Sequence, residues 1–232
     1  MAQSNHRVFF DISIGGKMAG RIEMDLFQKE APHLAENFRA LCDGNAVDPE
    51  GNKISFKGTI IHRAVTEYMI HGGDHENGNG TGGGSIYGEK FPDVEVTPRS
   101  HKTGVLTTAH AMPKLPKKHA LGTPYPFKCG SQFFICVNKA PWLDGQHAVF
   151  GKVHKGMNVV WAINNVGSRS GTMSQVVKIV DCGQIRNCSY ASLDLGSLWP
   201  GNEDSRTLPI AISFYIPLYE QRKGRGRLTR DW

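Results

Sequence analysis

The sequence predicts a mainly β protein, an antiparallel barrel or sandwich with two helices covering its openings. Two observations carry this reading. Short β-rich segments recur from "RVFFDISI" to "QVVKIVDC", and their number and spacing suit antiparallel pairing better than a parallel α/β sheet. Two segments interrupt them, "APHLAENFRALC" and "GMNVVWAINNVGS", with apolar residues at helical spacing.

In chain order, "RVFFDISI" and "RIEMDLF" flank "GGK", so residues 7–27 are expected to form a hairpin. Ile22, Met24 and Leu26 alternate with Arg21, Glu23 and Asp25, as a strand buried on one side requires. The first helix presents Leu34, Phe38 and Leu41 on one face and tolerates Pro32 in its first turn. Strands are then expected at "GTIIHR", "GVLTTA", "SQFFICV" and "HAVFGKV". The second helix presents Val160, Ile163 and Val166 and is expected to end at Gly167. The strand "QVVKIVDC" follows. Beyond "VDCGQI" the periodicity stops, and residues 187–232 read as an extension outside the core, partly disordered.

A chain of 232 residues can bury a sizeable core without staples. Its N-terminus lacks a basic start followed by an apolar run, so no secretory signal is expected. The apolar run Leu208–Tyr219 is too short for a bilayer and contains two prolines. Five cysteines without framework spacing suit a reducing compartment. A cytoplasmic protein is expected, with a nuclear location also open. The net charge of +6 gathers in Met112–Lys128 and in the tail Arg222–Arg230. Such an excess is read chiefly as solvated surface. Nucleic acid is not the expected partner, because the tail lacks aromatic interleaving and RGG repeats.

Familiar chemistries fit poorly. The Gly-rich Gly78–Gly88 stretch has Gly84 where a phosphate loop needs lysine, so a tight turn with positive φ is expected. His71, Asp74 and His75 are close in sequence, but no CxxC or HExxH accompanies them, and no metal is expected. Ser131 lacks a nucleophile elbow. What remains is "HRAVTEYMIHGGD", "LTTAHA", "GSQFFI" and "PWLDGQHAVFG": one arginine, several large apolar side chains and a few hydrogen-bonding groups. Core packing is the plain reading of the apolar members.

Residues 7–185 resemble a cyclophilin, a peptidyl-prolyl cis-trans isomerase. The likeness runs from "VFFDISIGG" through "ENFRALC", "FKGTIIHR", "GTGGGSIYGEKF", "GSQFFIC", "WLDGQHAVFGKV" and "GSRSGT" to "DCGQI". It implies an eight-stranded antiparallel β-barrel capped by two α-helices, spanning residues 1–186, and rotation about X-Pro peptide bonds without a cofactor. The alternative is a proline-peptide binding module with weak or no catalysis. Arg63 stands at the position of the family's essential arginine. The implied substrate-binding set is Tyr68, Met69, His71, Ala109, His110, Gln132, Phe134, Trp142, Leu143 and His147. Implied partners are X-Pro-containing peptides and proteins and, mainly through Trp142, cyclosporin-type cyclic peptides. A monomer without membrane contact is expected.

Five departures from the family pattern matter. Tyr68 replaces the usual Phe, His71 the usual Gln and His110 the usual Asn. His71 is expected to stay neutral near neutral pH beside Arg63, and activity to fall on acidification. The connection at residues 112–128 is longer than usual and suits acidic peptide partners. The segment Asp43–Ser55 resembles the longer loop of divergent-loop cyclophilins, some of which carry a redox-sensitive cysteine pair that Cys42 and Cys182 match. Packed free thiols are the preferred reading of that pair.

Overall fold

Alternation along the chain becomes two faces of one sheet in the computed structural model, which describes residues 6–88, 99–109 and 130–185. The described strands are β1 (Arg7–Ile14), β2 (Lys17–Leu26), β3 (Ala46–Val47), β4 (Lys53–Ile54), β5 (Arg63–Val65), β6 (Met69–Gly72), β7 (Val105–Thr108), β8 (Phe133–Cys136), β9 (Val149–Lys155) and β10 (Val177–Ile185). Two α-helices accompany them, α1 (Pro32–Asp43) and α2 (Met157–Asn165). Eight strands form one sheet in the order β10-β1-β2-β9-β7-β8-β6-β5, and all its pairings are antiparallel. The chain just before β5 then meets the far edge. Gly58 and Ile61 donate backbone N–H groups to Ile179 and Val177 of β10, and Ile179 donates back to Thr59. These bonds curl the sheet into the expected barrel and cover the β10 edge, while Ser168 and Gly171 bond to the β5 edge.

Inside, Phe10, Phe38, Phe56 and Phe133 form an aromatic tetrad with every pair of ring centroids 4.9–5.7 Å apart. Phe38 comes from α1, whose buried Leu34, Phe38 and Leu41 are the periodic face read from the sequence. Pro32 sits in the first turn, where its missing N–H costs no helical bond. The helix stops at Gly44, which takes φ 75° and donates its N–H to Ala40.

Three local details differ from expectation. α2 ends at Asn165 and caps on Val166 rather than running to Gly167. Gly167 is glycine for another reason: a Cβ there would lie 2.3 Å from the carbonyl oxygen of Ala64 in β5. The strand expected over "GTIIHR" is split, because Ile61 bonds to β10 before Arg63–Val65 joins β6. β6 itself escapes a reading that looks for Gly, Pro or Asn turns. Its hairpin with β5 turns through Glu67 at φ 60°, an uncommon conformation for a non-glycine residue. Asn164 of α2 supports that turn, accepting the Glu67 N–H at 2.9 Å and donating to the Val65 carbonyl at 2.8 Å.

The Gly-rich loop is the turn system expected, with positive φ at Gly78, Gly80, Gly83 and Gly88. Its organiser is buried Asp74, whose carboxylate accepts the backbone N–H groups of Glu76, Asn77, Asn79, Gly80 and Gly82. Burial alone would raise its pKa. The N–H groups of Asn77, Gly82, Gly80 and Asn79 outweigh that and hold it well below the usual carboxylate range.

Candidate active site

Strand registry places the site on the outer face of the barrel. Arg63 pairs with His71, His71 with Phe134, and Phe134 with Thr107, so one row crosses β5, β6, β8 and β7. Val65, Met69 and Cys136 form the next outward row. Between them runs an inward row, Ala64, Ile70, Ile135 and Leu106, that belongs to the main core. Registry therefore gives the two faces distinct populations.

Met69, Phe134, Cys136, Ala140 and Leu143 make a separate apolar cluster, with Val65, Tyr68 and Ala109 against it. Leu143 and Trp142 arrive on a single 3-10 turn, Pro141–Leu143. Trp142 is 59% exposed, and its ring centroid lies 5.6 Å from that of Tyr68 at the rim. Tyr68 is partly exposed, and its hydroxyl is not a buried orphan, so the extra oxygen carries no burial penalty. His147 turns edge-on to Phe134, centroids 5.2 Å apart, and its Nδ1 lies 2.9 Å from the Thr108 carbonyl.

Arg63 is exposed at the end of this shelf. Its guanidinium makes no hydrogen bond or ion pair among the described residues. Its position is set by packing. Gly171, at φ 94°, lies so close that a Cβ would come within 2.5 Å of Arg63 Nε. Gly171 in turn accepts the Ala64 N–H through its carbonyl.

Gln132 is engaged within the protein. It is 6% exposed, and its amide nitrogen donates to the carbonyls of Gly80 at 3.0 Å and Gly82 at 2.6 Å. Its Oε1 therefore faces His71 Nε2 at 2.9 Å, and His71 donates. The His-for-Gln change thus joins β6 to the Gly-rich loop through Gln132. Ala109 is half-buried and donates its N–H to the Gln132 carbonyl at 3.3 Å. Behind His71, His62 packs with ring centroids 4.4 Å apart. Burial lowers the pKa of His62, Asp74 opposes that and Arg63 reinforces it, while its buried Nδ1 has no hydrogen-bond partner.

A guanidinium thus lies beside an apolar shelf on the outside of an eight-stranded antiparallel barrel. The family model described as cyclophilin type peptidyl-prolyl cis-trans isomerase/CLD matches residues 9–184. The chain belongs to this family. Cyclophilins bind proline-containing peptides, and the shelf here is apolar.

Other residues read from the cyclophilin resemblance lie elsewhere. His110, the 112–128 connection and residues 187–232 fall outside the described residues. Cys42 and Cys182 belong to the main core and not to the shelf, on α1 and β10, and both are free thiols. Burial pushes the Cys42 thiol well up, with the neighbouring Cys182 adding to the effect. Burial pushes Cys182 up to about 11, although Ser55 Oγ, 4.0 Å from its sulfur, opposes this. Protonated thiols are poor nucleophiles at neutral pH. The supporting residues Asn164, Gly171 and His62 were missed by sequence reasoning. Gly171 stands within "GSRSGT", but nothing in that string shows its contact with Arg63.

Proposed function

We propose that this cyclophilin is a competent prolyl isomerase that rotates X-Pro bonds in proteins, assisting folding or switching a proline-containing segment. The observation that carries this reading is Arg63, exposed and outside any ion pair among the described residues, in the same cross-strand row as Phe134 and one row from Met69 of the shelf. Uncatalysed rotation meets a barrier of about 18–20 kcal/mol because the C–N resonance is lost in the twisted state. Catalysis then requires tighter binding of the twisted state than of either planar isomer. As the prolyl nitrogen pyramidalises it gains a lone pair, and the guanidinium, charged at any physiological pH, donates to it. The shelf holds the proline ring while the rest of the peptide turns. No nucleophile, cofactor or net proton transfer takes part.

The same reading takes Trp142 as a contact for cyclosporin-type cyclic peptides, and the protein as a cytoplasmic or nuclear monomer. One observation favours the second reading, a proline-peptide module with weak catalysis. Gln132 spends its amide on Gly80, Gly82 and His71, leaving less for a bound peptide. Exchange NMR on a short X-Pro peptide with the whole chain separates the two. Cis–trans exchange accelerated at catalytic protein concentrations supports the isomerase. Binding without acceleration supports the module.

A further inference from the structure

The wall carrying Trp142 and Leu143 is held by a buried group with no part in the proposed chemistry. His101 is 2% exposed and lies just ahead of β7. Its carbonyl accepts the N–H of Ala140, the residue before the 3-10 turn, at 2.8 Å. Its own N–H and its ring Nδ1 both reach Asp144 Oδ1, the residue after the turn, at 2.8 and 2.7 Å. An ionised carboxylate only accepts, so Nδ1 carries the proton of that bond. The other ring nitrogen lies 3.3 Å from Thr107 Oγ1, which donates at 2.9 Å to the carbonyl of Ala148. One histidine thus fixes the wall at Ala140, Asp144 and, through Thr107, Ala148. Trp142, Leu143 and His147 all lie between these points. The His101 and His147 rings also meet edge-to-face, centroids 6.4 Å apart.

We propose that His101 and Asp144 are positioning residues that set the separation between the Trp142–Leu143–His147 wall and the Phe134–Met69 floor, and so the affinity for the proline side of the substrate. The need for such a clamp follows from the turn itself. It is a single short 3-10 turn with no side-chain cap, and its other bonds reach only a few residues along the chain: Leu143 to Ala140, Asp144 to Pro141, Gln146 and His147 to the Leu143 carbonyl, and the Gln146 amide to that of Trp142. Short 3-10 pieces have poor hydrogen-bond geometry and hold position weakly on their own. Charge-assisted bonds from a buried donor are the stronger kind. The His101 bonds are also what hold the Asp144 carboxylate below its ordinary pKa.

The proposal rests on the isomerase reading, and its test keeps the two apart. Asp144→Ala removes the shared acceptor at a side chain that is already 38% exposed, leaving Arg63 and the floor intact. With an X-Pro peptide, KM is expected to rise about tenfold while kcat changes little. Asp144→Asn, which keeps an acceptor oxygen, should recover most of the affinity. In protein labelled with 5-fluorotryptophan, the Trp142 fluorine resonance, assigned with Trp142→Phe, should shift in Asp144→Ala and return towards wild type in Asp144→Asn. A well-folded Asp144→Ala with wild-type KM and an unmoved Trp142 resonance overturns the clamp. Should Asp144→Ala fail to fold, the pH response decides: the Trp142 resonance of wild type should move as pH falls through the ordinary carboxylate range of about 2 to 5, and that of Asp144→Asn should not. An equal response in both would also overturn the clamp. If the wild-type chain binds no X-Pro peptide, the isomerase reading fails on its own, and the Trp142 resonance still reports on the clamp.

Discussion

Phe133 and Phe134 are neighbours in β8, both almost fully buried, yet they belong to different parts of the molecule. Phe133 points into the tetrad with Phe10, Phe38 and Phe56. Phe134 points outward onto the shelf beside His147. The same division runs through β5 and β6, where Ala64 and Ile70 face the core while Arg63, Val65, Met69 and His71 face out. Burial alone therefore does not separate scaffold from site in this protein. What separates them is the company each row keeps: the inner row meets other apolar groups on all sides, and the outer row ends at a guanidinium and open solvent.

Substitutions on the two faces should fail in different ways. Phe133→Ala removes a ring from all three of its tetrad contacts and is expected to cost about 3–5 kcal/mol of stability, read by urea unfolding. Asp74→Asn should cost about 2 kcal/mol at neutral pH by weakening the bonds to the loop N–H groups. Its sign with pH follows from the depressed native pKa. The stabilisation is complete above the unfolded value of about 3.9 and is lost as pH falls towards the native one, so Asp74→Asn should flatten the acid limb of an unfolding titration.

Effects on the outer face should appear in activity first. Gly171→Ala puts a Cβ against Arg63 at a φ that suits glycine, and kcat/KM should fall by about 10- to 100-fold. Phe134→Ala should raise KM about tenfold with a smaller loss of stability than Phe133→Ala. The smallest effect concerns His62. Burial lowers its native pKa, so the unfolded chain takes up a proton first and stability should decline as pH drops below about 6.5. His62→Leu should remove that slope. A loss of peptide turnover between about pH 8 and 5.5 that persists in His62→Leu and disappears in His71→Gln would then be assigned to His71.

The alternation in "RIEMDLF" and the helical spacing of Leu34, Phe38 and Leu41 were legible because local periodicity reports directly on a buried face. The β5–β6 hairpin was not, because its turn passes through Glu67 and is supported by Asn164, a partner 97 positions away in the chain. The shelf was legible only through family resemblance. In the strand sequence, Phe133 and Phe134 look alike, and only registry with β6 and β7 tells which one faces out. The roles of Gln132 as an internal brace and of Gly171 beneath Arg63 depend on non-local contacts that no spacing rule contains.

The central claim is that Arg63 acts on the reaction and not on the fold. The most direct test measures Arg63→Ala twice, by exchange NMR on an X-Pro peptide and by urea unfolding. The account predicts a fall in kcat/KM of about 100-fold or more, as for loss of a preorganised donor, with unfolding free energy within about 0.5 kcal/mol of wild type. Undiminished exchange in a folded Arg63→Ala would contradict it.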